Sequence, residues 1–290
     1  MKQSKSKYHD RVMQSVDFLD RWNQGKKAPD IAIVLGSGLS QAIPNYSQMP
    51  FLSFQDIPGF KPTHVPGHSG ELRFGKLSVP LDNGQEKTRD VAFLHGRNHA
   101  YEGNDPAEVV HNVRSLITWG VKGIVLTNAS GCLNKDWDVG KMMLITDHIN
   151  GTGLSPTVGD YGLDFGPRFV DMAHCYTPSW QLKFQETAAK VNEELYSGIY
   201  YGVLGSQYET AAEIAMMRAM GASAVGMSTV LESIAIKQMG AKLAGISCLT
   251  NYGVGLNAKA LTHEDVVSMG KKFASNIANI VLNTVVELEV

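Results

Sequence analysis

Only three of the 290 residues are cysteine. Cys132, Cys175 and Cys248 are odd in number, far apart and never in a Cys-x-x-Cys pair. That excludes a disulfide framework and a cysteine-built zinc site, and it suits a reducing compartment. A surplus of positive charge is also missing. The 26 Lys+Arg are set against 28 Asp+Glu for a formal net charge of -2, whereas gripping a phosphate backbone needs clustered cations. The small basic bias at Lys2, Lys5 and Lys7 reads as a solvated N-terminus. No apolar run approaches the ~20 residues of a membrane span, and no apolar segment followed by small residues marks a secretory leader. Fixed-period repeats and low-complexity tracts are lacking too. These absences predict a soluble cytoplasmic protein with no nucleic-acid or membrane partner.

What is present is an ordinary globular mixture, 43% hydrophobic and 19% charged, outside the disordered and fibrous classes. A folded monomer of this size exposes roughly 12,000 of the roughly 46,000 Å² open to its unfolded chain, so the core needs no staple. Within an N-terminal segment, 1–28, Val12, Val16, Phe18, Leu19 and Trp22 share a helical stripe. The apolar run Ile31 to Leu35 then enters Gly36-Ser37-Gly38, a buried strand leading to a tight loop. Alternation over 71–79 and the run 91–94 predict paired strands joined by a turn at 82–89. Pro106 opens a helix closed by Gly120. Further strands are expected at 123–127, 142–145, 198–204, 223–227 and 243–249, and helices near 178–196, 210–220 and 229–240. A last helix runs from Thr262, with Asp265 three residues on, to about residue 288. Residues 151–167, with five glycines and two prolines, form a long loop of the kind that is usually functional or disordered. Strands alternating with helices imply an α/β fold. The expectation is one domain over 1–290, with a mixed, largely parallel central sheet flanked by helices on both faces.

In such sheets ligands gather where strands end, which singles out 36–40, 95–103, 127–131 and 247–252. Gly36-Ser37-Gly38-Leu39-Ser40 can cradle an anion or form a plain turn. It fails the dinucleotide fingerprint because Gln41 stands at the third glycine. The run His95 to Gly103 is denser, since Arg97 and His99 two apart beyond a strand can grip a phosphate or carboxylate together. Thr127-Asn128-Ala129-Ser130-Gly131 reads equally as a backbone approach to a ligand and as a turn, whereas Ser228 reads as an N-cap in preference to an anion ligand. Glu209 reads as a first-turn charge, and Asn251 as an amide able to donate to and accept from a heterocycle.

In order and spacing, these segments resemble the trimeric purine nucleoside phosphorylases. The resemblance is carried by Gly36-Ser37-Gly38-Leu39, Val65-Pro66-Gly67-His68, the His99 run through Glu102-Gly103, and Thr127-Asn128-Ala129. It continues through Asp147-His148-Ile149-Asn150, Tyr208-Glu209-Thr210, Val225 to Thr229 and Thr250-Asn251. It implies the nucleoside phosphorylase fold and reversible phosphorolysis of a purine nucleoside, with orthophosphate as co-substrate and no metal or organic cofactor. It also implies that Ser37, Arg97, His99, the Ala129 backbone and Ser228 hold phosphate, with His68 over the same pocket. Tyr101, Met227 and His263 would line the ribose. Tyr208, Glu209 and Asn251 would hold the base, with His99, Glu209 and Asn251 as the catalytic set. Phe165, in the loop 151–167, would reach a neighbouring subunit's pocket in a homotrimer. Asn rather than Asp at 251 implies 6-oxopurines such as inosine and guanosine over amino purines. The alternatives are a methylthioadenosine or xanthosine phosphorylase, or a nucleoside-binding protein of weak activity. The sequence departs from the family pattern at Ser206, Gln207, Ser130, Cys132 and Leu231, of which Ser206 and Gln207 lie beside the presumed base pocket.

Overall fold

Alternation decides how the strands are covered. The computed structural model describes residues 6–36, 42–63, 65, 69–80, 86–256, 276 and 278–290. In β1 (Ile31–Leu35) every residue is buried, yet successive side chains point to opposite faces, as the strand pleat requires. Ala32 and Val34 join one apolar cluster with Leu19, Val113, Leu116 and Ile236. Ile31, Ile33 and Leu35 join the other, with Trp180, Phe184, Ile280 and Val285. Helices therefore cover both faces, α1 (Lys7–Trp22), α3 (His111–Trp119) and α6 (Val230–Gln238) on one side, and α4 (Pro178–Lys190) with a C-terminal helix over 278–287 on the other.

The remaining strands are β2 (Phe51–Ser53), β3 (Glu71–Pro80), β4 (Glu86–His95), β5 (Gly123–Cys132), β6 (Met142–Asn150), β7 (Leu195–Gly202), β8 (Ala224–Gly226) and β9 (Lys242–Tyr252). They order as β2-β3-β4-β1-β5-β8-β7-β6-β9, and β9 also pairs with β5. That extra pairing closes β5-β8-β7-β6-β9 into a ring, with β1 to β4 extending from it as an open wing. The mixture is confirmed. β1 pairs parallel with β4 and β5, β5 with β9, and β7 with both β6 and β8. The pairs β2–β3, β3–β4, β5–β8 and β6–β9 are antiparallel.

Several boundaries differ from the sequence reading. The helix opened by Pro106 is two helices, α2 (Pro106–Val109) and α3, because Val110 at φ -97°, ψ 3° serves as C-cap of one and N-cap of the next. The expected helix to 196 stops at Lys190, and β7 begins at Leu195. β6 does not end before Asp147-His148 but continues through them to Asn150 past an irregularity between Ile145 and Asp147. Thr127–Gly131 likewise lies inside β5 rather than beyond it. In both strands an exposed or polar tail follows an apolar core, and cross-strand pairing rather than hydrophobicity holds the tail extended. Within the loop 151–167 a short 3-10 turn spans Asp160–Asp164. The proposed start of the last helix, Thr262, lies outside the described residues.

All three cysteines are free and buried. Burial pushes the Cys132 thiol up and those of Cys175 and Cys248 up to about 12, so none is primed as a nucleophile.

Candidate functional site

The strand ends singled out in the sequence meet in one cleft of about 770 Å³. Arg97, His99, Tyr101, Ala129, Tyr208, Glu209, Met227, Ser228 and Asn251 all line it, together with Gly36 and Asn128. Ser37, His68 and His263 lie outside the described residues. Phe165 is not brought to the cleft of its own chain. It is 9% exposed, packed on Tyr8 and His9 at ring centroid distances of 5.5 and 5.9 Å, with the Arg114 guanidinium 4.6 Å from its centroid.

At the floor, β1 ends at Gly36, whose N–H donates to Thr127 Oγ1 at 2.8 Å, and Thr127 Oγ1 donates to Val34 O at 2.8 Å. A Cβ at Gly36 would sit 3.2 Å from the Asn128 Cα, so glycine is what lets the two strand ends close together.

Arg97 is 4% exposed. Its Nη1 donates to Thr127 O at 2.6 Å, and its Nε lies 3.3 and 3.2 Å from the two carboxylate oxygens of Glu232. Its Nη2 is buried without a partner among the described residues, on a side chain that lines the cleft. A guanidinium held on two edges with its third unsatisfied is a preorganised anion donor. Glu232 was not singled out from the sequence. Its signal was nevertheless present, because Thr229 and Glu232 have the spacing of a capping box, and the Glu232 carboxylate does accept from the Thr229 N–H at 3.1 Å.

Thr229 also corrects the reading of Ser228 as the cap, since the N-cap of α6 is Thr229 at φ 74°, ψ -48°. Val230 N donates to Ser228 O at 2.8 Å, which closes a γ-turn. Such a turn is strained for a β-branched residue, by roughly 1–3 kcal/mol. It sets Ser228 against the N-terminal end of α6, where the helix dipole favours an anion. His99 is held at its other end. Its Nδ1 and its backbone N–H both lie 2.9 Å from Glu102 Oε1, and its ring stacks on Tyr101 at 4.6 Å and 15°. Desolvation holds the Tyr101 phenol up to about 12, so it stays neutral.

At the other end of the cleft, the register of β5 against β9 shifts between Ser130 and Gly131. Leu249 pairs with Ser130, Asn251 pairs with Gly131, and Thr250 is the extra residue. Such a bulge re-aims a side chain, here Asn251. Its Oδ1 accepts from Thr250 Oγ1 at 2.8 Å and its Nδ2 donates to Tyr252 O at 3.0 Å, which fixes the amide and leaves one N–H for a ligand. Glu209 faces the same region, its carboxyl held above the usual range by burial. A Cβ on Gly131 would lie 3.3 Å from Asn251 Nδ2 and 3.3 Å from Val225 Cγ1. A Gly131→Ala variant should therefore displace the amide and raise the KM for the organic substrate about tenfold. The KM for the anion stays put; steady-state kinetics with each substrate varied in turn would show a change in both, or in neither, if this geometry were wrong.

The model of the Phosphorylase superfamily matches residues 30–286. The chain is 34% identical to purine nucleoside phosphorylase 1 of Bacillus subtilis, over 97% of this chain and 99% of that one. It is 39% identical to the purine nucleoside phosphorylase of Mycobacterium tuberculosis, over 88% of each. Among solved structures, the Schistosoma mansoni purine nucleoside phosphorylase in complex with inosine superimposes with a TM-score of 0.85 at 28% identity, covering 97% of both chains.

Proposed function

The chain belongs to the Phosphorylase superfamily as one of its purine nucleoside phosphorylases, enzymes of nucleoside metabolism that pass a pentosyl group from purine to phosphate, and we propose that its preferred substrates are the 6-oxopurine nucleosides inosine and guanosine. The observation that carries this reading is the fixed Asn251 amide, with one N–H left for the base. Directed at N7 and O6, that N–H meets acceptors in a 6-oxopurine, whereas a 6-amino group would present a hydrogen to it. Glu209 accepts from the opposite edge of the base, and Tyr208 covers its face. Tyr101, Met227 and His263 surround the ribose.

The phosphate is read as lying between Arg97 Nη2, Ser228, Ser37, the Ala129 backbone and His99, with His68 above it. Glu102 accepts at His99 Nδ1, so a neutral ring carries its hydrogen there and turns Nε2 as an acceptor toward a P–OH hydrogen. The bond between C1′ and N9 breaks with its electron pair going to the purine, and positive charge grows on the ribose, as in other glycosyl transfers. Phosphate, aligned beneath the sugar, stabilises that charge and then forms the new C1′–O bond. The Asn251 N–H stabilises the negative charge gathering on the departing purine, which takes up a proton from solvent, while Glu209 holds the base in place from its opposite edge. Orthophosphate is a co-substrate in this scheme, and neither metal nor organic cofactor has a part.

We further read 1–290 as one catalytic domain, the loop 151–167 as an interface loop and the assembly as a homotrimer in the cytoplasm. Val158, 68% exposed within that loop, and Phe169, 89% exposed just after it, support an interface there. Phe165 would meet a neighbouring pocket through whatever edge its own packing leaves open.

The test is release of base from inosine, guanosine, xanthosine, adenosine and methylthioadenosine, each with and without orthophosphate. Phosphate-dependent cleavage of inosine and guanosine well above the rest is the expected result. Preference for xanthosine or the amino purines would overturn the role given to Asn251.

A further inference from the structure

Beneath the anion end of the cleft runs a line of buried polar side chains that touch no substrate in the scheme above. Ser247 Oγ lies 2.6 Å from Asn128 Oδ1 and 2.6 Å from Ser130 Oγ. Asn128 Nδ2 donates to Thr229 Oγ1 at 2.8 Å, and Thr229 Oγ1 lies 3.1 Å from Ser228 Oγ. Asn128, Ser130, Thr229 and Ser247 are all more than nine-tenths buried.

The distances give this line a direction. A separation of 2.6 Å suits O–H···O and is short for N–H···O, whereas 2.8 Å accommodates either. The carbonyl oxygen of Asn128 therefore faces Ser247, and its amide nitrogen faces Thr229. That oxygen can only accept, so the single hydrogen of Ser247 is taken by it, and the Ser130 hydroxyl supplies the hydrogen for the other contact. On the far side Asn128 can only donate. Thr229 Oγ1 accepts from it and has its own hydrogen left to give, and Ser228 Oγ stands within reach.

We propose that Asn128 is a positioning residue which, acting through Thr229, polarises the Ser228 hydroxyl so that it turns its hydrogen rather than a lone pair into the cleft. The inference rests on the reading of Ser228 as a phosphate ligand. With Thr229 donating to it, and the neutral Tyr200 phenol beside it able to donate as well, Ser228 keeps its own hydrogen, and an anion is the partner that such a hydroxyl suits. The Thr229 γ-turn acquires a purpose as well, because it brings a threonine hydroxyl between the Asn128 amide and Ser228. An unpolarised serine would spend part of its time facing phosphate with a lone pair and would have to be reoriented on binding.

The experiment compares Thr229→Val, Thr229→Ser, Ser228→Ala and the Ser228→Ala/Thr229→Val double variant, with KM measured separately for orthophosphate and for inosine. Thr229→Val keeps the branched shape and removes the relay, and should raise the phosphate KM about tenfold while leaving the inosine KM within about twofold. Thr229→Ser should restore the phosphate KM. In the Ser228→Ala background Thr229→Val should add nothing, because the group through which it acts is gone. A full additive effect in the double variant, or equal loss for both substrates, would overturn the relay and leave the phosphate site standing. An unchanged phosphate KM in Ser228→Ala would overturn the phosphate assignment and the relay with it. If Thr229→Val does not fold, Ser247→Ala at the far end of the line decides the matter. A phosphate-specific rise of about threefold that vanishes in the Ser228→Ala background supports the relay, and no rise refutes it.

Discussion

An Arg97→Met variant should lose about three orders of magnitude in kcat/KM for orthophosphate. Two losses add. The first is direct, since Nη2 is the nitrogen of the Arg97 guanidinium that has no protein partner among the described residues. The second is indirect. Arg97 is the cation beside Glu232, and both side chains are 4% exposed. Removing the cation leaves a carboxylate buried and unpaired against a site meant for another anion. Breaking such a pair costs about 3–5 kcal/mol of stability, so the variant should also melt lower. Glu232→Gln separates the two effects, because its amide oxygen can still accept from Thr229 or from Arg97, and the one charge left without its protein partner is the Arg97 cation that phosphate itself pairs. It should keep most of the stability and lose far less of the phosphate affinity. Phosphate saturation curves of both variants, read beside their thermal melts, check the assignment. An Arg97→Met enzyme with an unchanged phosphate requirement would remove Arg97 from the anion site.

Asn251→Asp should lower kcat/KM for inosine by about a thousandfold while changing that for adenosine far less, so that the ratio of the two collapses. The change is severe because it acts on both sides of the residue. Toward the base, an N–H that meets acceptors becomes an oxygen that repels them. Toward the protein, the atom now 3.0 Å from Tyr252 O as a donor becomes an acceptor facing another acceptor. The second penalty falls on both substrates alike and the first only on the 6-oxopurine, so the ratio isolates the recognition term. Equal loss with both nucleosides would mean that Asn251 serves only the bulge between β5 and β9.

How much of this was legible beforehand depended on the kind of interaction. The strands β1, β4, β5 and β9 announced themselves as apolar runs, and the residues just past or at their ends, Arg97, His99 and Asn251, are the ones that meet in the cleft. Periodicity reports burial, so it found the core. It could not report pairing, which is why β5 and β6 were cut short where their side chains turn polar. The closure of β9 onto β5 left no local mark, nor did the register shift that places Asn251 opposite Gly131. Glu232 was overlooked although its spacing from Thr229 advertises a cap, because a cap and an ion-pair partner use the same carboxylate, and only the fold brings Arg97 to it. Phe165 shows the converse. The resemblance assigns its ring to a neighbouring subunit's pocket, a contact that a single chain does not display, and within its own chain the ring packs under α1 against Tyr8 and His9.

The closing of the five-strand ring also sets when the cleft can exist at all. Asn128 and Ser247 are 119 positions apart along the chain, and the anion and base ends are completed only when β9 docks on β5. Contacts of that span form late, after the entropy of a long loop has been spent. A chain with its open wing folded and its ring unclosed would hold no complete binding site. Phosphate and nucleoside thus act on the folding equilibrium as well as on the reaction. They bind the finished ring and not its precursors, and each, at a hundred times its Kd, deepens the native state by about 2.7 kcal/mol.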